Sequence, residues 1–478
     1  MMQTMQTLER TLQPPVPVVS IGQALRTRAV WLCLAAFSAV HLTLWAVQPD
    51  LERKILTGDR AGDRLRALDQ LVAADGLDAR LAVIFRVGSP GDYVLFAPVY
   101  ALFGAPGIVF QSLVLYSIAL VALYALARRL LGEPSALIAT AAWVALPSTL
   151  FHPHVLVTET ICNPLLVLLL VLLVRLHDAK KPQPATLVAA ACLTAILVFV
   201  RHVFLLLPFA IALWLIAFRP RGVFGDGGAL ARPLARYLGV SFAIIALWWV
   251  TLALGSFRYP PSESIGGLQS NLFLRAERMA YLGHVELPVS YAQHSAAAGK
   301  PTRLFQPLEF VGFAAKHPVL FTRTAAADAF NMMVNPGVAM LAGRYLGLFD
   351  LAERSHRDLN KWREVREKQG FLGLARLLLE TSPVGLAVNA AGLIAWIAFL
   401  AVAALGAVRF MRDATREPAL RWLLAGLVVY VAGLTCLTAG YTRWDHRTPM
   451  DVALVLFFAA GVMDLRSRHA GSPRLAVA

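Results

Sequence analysis

Apolar residues fall in long unbroken runs along this chain, and charge, Gly and Pro are concentrated in the intervals between them. The runs lie near 29–48, 107–127, 136–151, 161–176, 186–199, 203–218, 236–255, 385–408, 420–440 and 449–465. A helix needs about 20 consecutive apolar residues to cross a bilayer, and lipid leaves no partner for backbone that does not satisfy itself. The pattern predicts an all-α polytopic membrane protein with about ten transmembrane helices. Two long intervals remain. The first, 49–106, holds a charged helical stretch from Asp59 to Ala74, then an apolar piece from Tyr93 to Phe103, too short to span and suited to the interface. The second, 256–384, holds an amphipathic stretch over 310–333 and a mixed-sign one over 353–368, which reads as a solvated helix face.

Composition agrees with this class. Of 478 residues, 58% are hydrophobic and 15% charged, where soluble chains run nearer 45–50% and 25%. That excludes an ordinary soluble enzyme. The net charge of +15 would suggest nucleic acid in a soluble chain, but here the basic residues gather in alternate short loops. Arg128 and Arg129, Lys180 and Lys181, the arginines of 219–236 and of 409–421, and Arg466 and Arg468 share one side; the opposite short loops hold Arg201, Arg443 and Arg447. The first side is expected to be cytoplasmic, with both termini inside, in the inner (cytoplasmic) membrane. No nucleic-acid partner is expected. The first run follows a polar stretch without a small-residue cleavage site and reads as a retained helix. The expected organisation is a cytoplasmic tail over 1–28, a membrane core over 29–255 with its first outer loop at 49–106, an outer segment over 256–384, further membrane helices over 385–465, and a tail over 466–478. Cys33, Cys162, Cys192 and Cys436 lie in or beside apolar runs and read as packing residues.

An ionisable residue near membrane depth is costly unless it has a partner or a task. Such residues converge on the outer side: Asp59 and Asp63 after the first run, His152-Pro153-His154 and Thr158-Glu159 between the third and fourth, Arg201-His202 between the fifth and sixth, and Arg443 to Arg447 before the tenth. This set suits group transfer from a phosphate-linked donor. A carboxylate takes a proton from an acceptor hydroxyl, and guanidiniums stabilise a departing phosphate. Plainer roles stand beside these. Glu159 would favour a helix dipole, Arg201 and His202 would serve as interfacial anchors, and Asp63 would lie on a solvated helix face. His152, His154 and Glu159 offer donors for a divalent metal, although their spacing matches no zinc pattern and local hydrogen bonding is the alternative. No other cofactor is implied.

The run Asp59-Arg-Ala-Gly-Asp63-Arg-Leu-Arg-Ala67, continuing to Asp75-Gly76, resembles the first outer loop of GT-C type, polyprenyl-phosphate-sugar-dependent glycosyltransferases. That family includes the lipid A aminoarabinose transferase and the protein O-mannosyltransferases. Asp59, Ala67 and Gly76 keep its register, and Asp63 stands where the family has an aromatic residue. Arg86-Val-Gly-Ser-Pro-Gly-Asp-Tyr93 and Pro98 to Gly104 resemble its interfacial segment, Gln111 to Gly132 its second span, Thr158-Glu159-Thr160 its third-to-fourth turn, Arg201 the arginine ending its fifth span, and Arg443-Trp444 with Arg447-Thr448-Pro449 the entrance to a late span. The resemblance is good over 29–220 and 420–465 and weak over 256–384. It implies transfer of a sugar, with inversion, from a polyprenyl-phosphate donor to an acceptor hydroxyl on a lipid, glycan or protein at the outer face of the bilayer. Asp59 or Asp63 would be the base and Glu159 a second acid. Arg201, Arg443 and Arg447 would hold the donor phosphate, and Arg86, Tyr93, His152, His154 and His202 would line the substrate. The alternative is a transporter or flippase of lipid-linked sugars, which would place its polar groups near the bilayer midplane, often within internal repeats.

Overall fold

The computed structural model describes residues 21–47, 61–86, 90–225, 230–256, 263–287, 307–338, 383–438 and 444–471, with a few single positions between 341 and 380. Asp59, Arg443, residues 1–20 and 472–478 of the tails, and the charged stretch 353–368 apart from position 365 lie outside the described residues. So do the side chains of Asp63, Arg86 and His202.

Among the described residues the structure is all helix, with no strand. Helix α1 (Arg28–Val47) precedes two short helices, α2 (Ala61–Ala73) and α3 (Gly76–Arg86). Then come α4 (Pro90–Leu131), α5 (Glu133–Ala145), α6 (Pro147–Phe151), α7 (Glu159–Asp178), α8 (Pro184–Val200), α9 (Leu207–Phe218) and α10 (Ala231–Ser256). The segment over 256–384 contributes α11 (Glu263–Gly283), α12 (Pro307–Lys316) and α13 (Pro318–Val334), followed by α14 (Pro383–Arg412), α15 (Pro418–Thr438) and α16 (Asp451–Gly471). Proline opens several of these helices, where its missing N–H and fixed φ cost nothing.

Each of the ten apolar runs coincides with helix. Among the described residues, six helices are long and apolar enough to cross a membrane, seven if the bent pair Glu133–Ala145 and Pro147–His154, which turns by 54°, is one broken span. The helices Pro184–Val200 and Leu207–Phe218 are apolar but shorter. Two features differ from a row of simple spans. The apolar piece Tyr93–Phe103 is continuous with the second span and parts from it only at Gly104, whose φ of 63° and ψ of −154° no side chain would accept easily. The third span breaks at Leu146, where extended backbone is followed by Pro147.

Helix α7 is buried along most of its length. Helices α14 and α16 pack through small residues. A Cβ on Gly406 would lie 1.8 Å from the Phe457 carbonyl oxygen, and one on Gly461 would lie 2.2 Å from that of Val402. In lipid, where apolar side chains gain little from leaving solvent, such backbone approach is a main source of helix association. Helices α11, α12 and α13 have a smaller core of their own, built on Leu272, Ala276, Met279, Phe310 and Phe313.

Candidate functional site

Antiparallel threading brings the loop after α6, the start of α7, the end of α8 and the start of α16 to one end of the bundle. Glu159 opens α7 and Arg201 closes α8, so the two meet although 42 positions separate them: Arg201 Nη1 lies 2.8 Å from Glu159 Oε1, with both residues buried. Thr158 Oγ1 donates to the other carboxylate oxygen at 3.0 Å. His152 and His446 stand within electrostatic reach of Glu159. Arg201 also reaches the Cys162 thiol, and the next residue on α7, Asn163, accepts from Thr448 Oγ1 at 3.4 Å.

A second carboxylate enters from α4. Asp92 is 1% exposed, takes Arg64 Nη1 at 2.6 Å and the Tyr93 backbone N–H at 3.2 Å, and lies within electrostatic reach of Glu159. Glycine makes this approach feasible: a Cβ on Gly91 would sit 2.8 Å from the backbone of Phe199 and Val200, next to Arg201. Helix α2 is held over the same place, because its Arg64 bonds Asp92 and the Tyr100 hydroxyl donates to its Asp69. Asp63 directly precedes Arg64, so its backbone belongs to this end as well.

The sequence-predicted residues divide. Glu159, Arg201 and His152 come together, and Tyr93 is buried beside Asp92. His154 turns instead to α1, where His41 Nδ1 lies 2.7 Å from its Nε2. The two histidines of the His-Pro-His turn therefore point to different partners, and the three donors considered for a metal do not converge. Among the described residues the converging ligand set is His177, Asp178 and Glu417, at the opposite end of α7. Both Asp178 oxygens there already accept from Arg129, at 2.8 and 2.7 Å, and His177 is bonded to Glu417, which makes a salt network rather than an open metal site. Arg447, expected on the donor phosphate, is buried and its guanidinium meets Asp451 and the backbone oxygens that end α13. Asp92 and His446 fall inside the segments Arg86–Tyr93 and Arg443–Arg447, where sequence reasoning assigned neither a role. The signal for Asp92 was the one that picked Glu159: an acid at the opening of an apolar helix.

Among the described residues, this end of the bundle therefore brings two buried carboxylates, Asp92 and Glu159, within electrostatic reach of each other, each with its own guanidinium, and sets His152 and His446 near Glu159. Buried like charges at close range cost stability and are found where acid–base chemistry is done. Known proteins share part of the pattern. Residues 90–252, the stretch that contributes Asp92, His152, Glu159 and Arg201, match the family described as dolichyl-phosphate-mannose-protein mannosyltransferase. The matched stretch includes the segments Gln111–Gly132 and Thr158–Thr160 and Arg201. Two solved structures are similar over most of the chain. One is ArnT from Cupriavidus metallidurans bound to undecaprenyl phosphate, 14% identical, covering 91% of this chain and 78% of that one with a TM-score of 0.39. The other is the same protein in the apo state, 15% identical, covering 90% and 78% with a TM-score of 0.37. No curated protein matches the sequence.

Proposed function

We propose that this chain is a membrane glycosyltransferase of GT-C type. It moves a sugar from a polyprenyl-phosphate donor to an acceptor hydroxyl at the outer face of the inner membrane, with inversion. The observation that carries the reading is the buried Glu159–Arg201 pair with Asp92 beside it, inside the stretch that matches the mannosyltransferase family. A carboxylate of the first outer loop, Asp59 or Asp63, takes the acceptor proton as the acceptor oxygen attacks the anomeric carbon. An ordinary Asp, with a pKa of about 3.9, is ionised at neutral pH and needs no tuning for this. The bond from the anomeric carbon to the phosphate oxygen breaks with its electron pair on that oxygen, and the polyprenyl phosphate leaves with one more negative charge. Arg201 stabilises that charge. Its five N–H donors allow it to hold Glu159 and a phosphate together, and Arg443 is the second cation offered to the donor. Glu159 orients Arg201 and, with His152, His202 and His446, borders the place of the sugar.

The test uses purified protein in lipid nanodiscs with radiolabelled undecaprenyl phosphate mannose and undecaprenyl phosphate aminoarabinose, plus a membrane-lipid extract as acceptor. Release of undecaprenyl phosphate with label passing to an acceptor is expected, and Asp59→Asn or Asp63→Asn is expected to lower it about 10²–10⁴-fold. Full transfer by both variants would remove the base assignment. Passage of intact donor across a liposome bilayer without release of undecaprenyl phosphate would instead make the protein a transporter.

A further inference from the structure

Hydrogen bonds from one side chain tie the segment over 256–384 to this site. Arg447 lies in the 3-10 stretch Trp444–Met450 and is 1% exposed. Its Nη1 donates to the carbonyl oxygens of Met332, Met333 and Asn335 at 3.0, 3.3 and 2.8 Å. These close α13, where a helix leaves carbonyls without internal partners and presents the negative end of its dipole. Its Nε lies 3.4 Å from Asp451 Oδ1, and the other oxygen of Asp451 accepts from Ser148 Oγ at 2.6 Å. The guanidinium carbon stands 4.0 Å over the Trp396 ring, and Trp396 Nε1 donates to the Met333 carbonyl at 2.7 Å. One cation thereby joins α13, α14, α16 and α6. The residue before it, His446, faces Glu159, and the residue after it, Thr448, bonds Asn163 on α7.

We propose that Arg447 is a positioning residue. It clamps the C-terminus of α13 to the stretch that presents His446 to Glu159, and so couples the second outer segment to the reacting end instead of binding the donor phosphate. The inference rests on the glycosyltransferase reading for what is coupled, and on the geometry alone for the clamp. A phosphate reaching this guanidinium would have to displace a carboxylate, three carbonyls and an aromatic face. Lysine, a compact point charge, would serve a phosphate contact tolerably but cannot reproduce a planar fork that spans these groups.

The test compares wild type, Arg447→Lys, Arg447→Gln, Trp396→Phe and Arg201→Gln in nanodiscs. Amide hydrogen exchange and binding of undecaprenyl phosphate alone are measured, with turnover and donor KM from the transfer assay. Both Arg447 variants are expected to speed exchange about tenfold or more in 331–338 and 444–450, to bind undecaprenyl phosphate within about twofold of wild type, and to lower turnover equally at unchanged donor KM. Arg201→Gln is expected to lower undecaprenyl phosphate affinity about tenfold or more and to leave that exchange unchanged. Trp396→Phe, which removes the bond to Met333 and leaves a smaller ring under the guanidinium, is expected to raise exchange in the same segments by less, and it decides the clamp if Arg447→Gln does not fold. Rescue of turnover by lysine, wild-type exchange in the Arg447 variants, or an affinity loss in Arg447→Gln equal to that of Arg201→Gln would overturn the proposal. If wild type neither binds undecaprenyl phosphate nor transfers sugar, the glycosyltransferase reading fails, and the exchange measurement still decides the clamp.

Discussion

Helix α7 carries an acid at each end, and the two ends are built differently. Glu159 opens the helix, where the backbone dipole favours negative charge; Asp178 closes it, where the dipole opposes negative charge. Asp178 is accordingly gripped on both oxygens by Arg129 from α4, with Glu417 beside α15 lying 3.9 Å from the same guanidinium and bonded to His177. That network staples three helices together. Glu159 has less structural need of a cation, yet Arg201 lies 2.8 Å away, with Asp92 and two histidines gathered around the pair. Opposite charges placed for shape mark the Asp178 end. The Glu159 end pairs its acids with arginines as well, but it gathers a second buried acid and two histidines around one pair, the kind of cluster that acid–base sites favour.

The largest break in this comparison would come from exchanging the roles of the two ends. Glu159→Gln and Arg201→Gln are each expected to lower sugar transfer per folded molecule about 10²–10⁴-fold, on top of the stability that breaking a buried pair costs. Arg129→Gln should cost stability alone. It strands Asp178 half-buried at a helix C-terminus, a loss of about 3 kcal/mol, and leaves turnover per folded molecule unchanged. Paired thermal melts and transfer rates on the three variants decide the matter, and wild-type turnover per folded molecule in Glu159→Gln would erase the distinction. A smaller effect sharpens it. Gly91→Ala places a methyl group 2.8 Å from the backbone of Phe199 and Val200 and should push Arg201 away from Glu159, for about a tenfold loss of turnover. Donor KM should rise with it if Arg201 holds the phosphate.

The two ends were unequally legible in the sequence. The apolar runs coincide with helix because twenty apolar residues in lipid have few other ways to satisfy their backbone. Arg129 and Lys180, on the expected cytoplasmic side, declared their side through loop charge, but the partnership of Arg129 with Asp178 and Glu417 depends on how α4, α7 and α15 pack, which periodicity does not encode. At the other end, Glu159, Arg201 and His152 stood out as polar residues at the ends of apolar runs. Asp92 was hidden because Tyr93–Phe103 read as a separate interfacial piece, and only the Gly104 kink shows that Asp92 opens the helix leading into the second span. His41, alone inside the first apolar run, had no visible partner in sequence; His154 becomes one through the fold. Arg447 looked like a phosphate ligand because a lone outer arginine has the right chemistry. Its actual neighbours come from α13, more than 100 positions earlier.

The smallest expected effect separates the two ends by pH. The hydrogen bond from His177, with the charges of His177 and Arg129, holds the Glu417 carboxyl below its ordinary value of 4.5 against the opposing effect of burial. A carboxyl whose folded value is depressed contributes stability above the unfolded value and loses it as pH falls through the folded one. The network at the Asp178 end should therefore weaken as pH drops below about 4.5, and the melting temperature should fall with it. Asp413 behaves in the same direction: its bonds to Thr415 and Arg416 outweigh burial and hold it below 3.8. Because Glu417 is 42% exposed, solvent screens the pair, and its share is on the order of 1 °C. Glu417→Gln should flatten the acid limb of the melting curve by that amount, and Asp413→Asn should flatten it at slightly lower pH. If the acid limb of Glu417→Gln is as steep as that of wild type, the salt network does not staple these helices, and the contrast between the two ends rests on Arg129 and Asp178 alone.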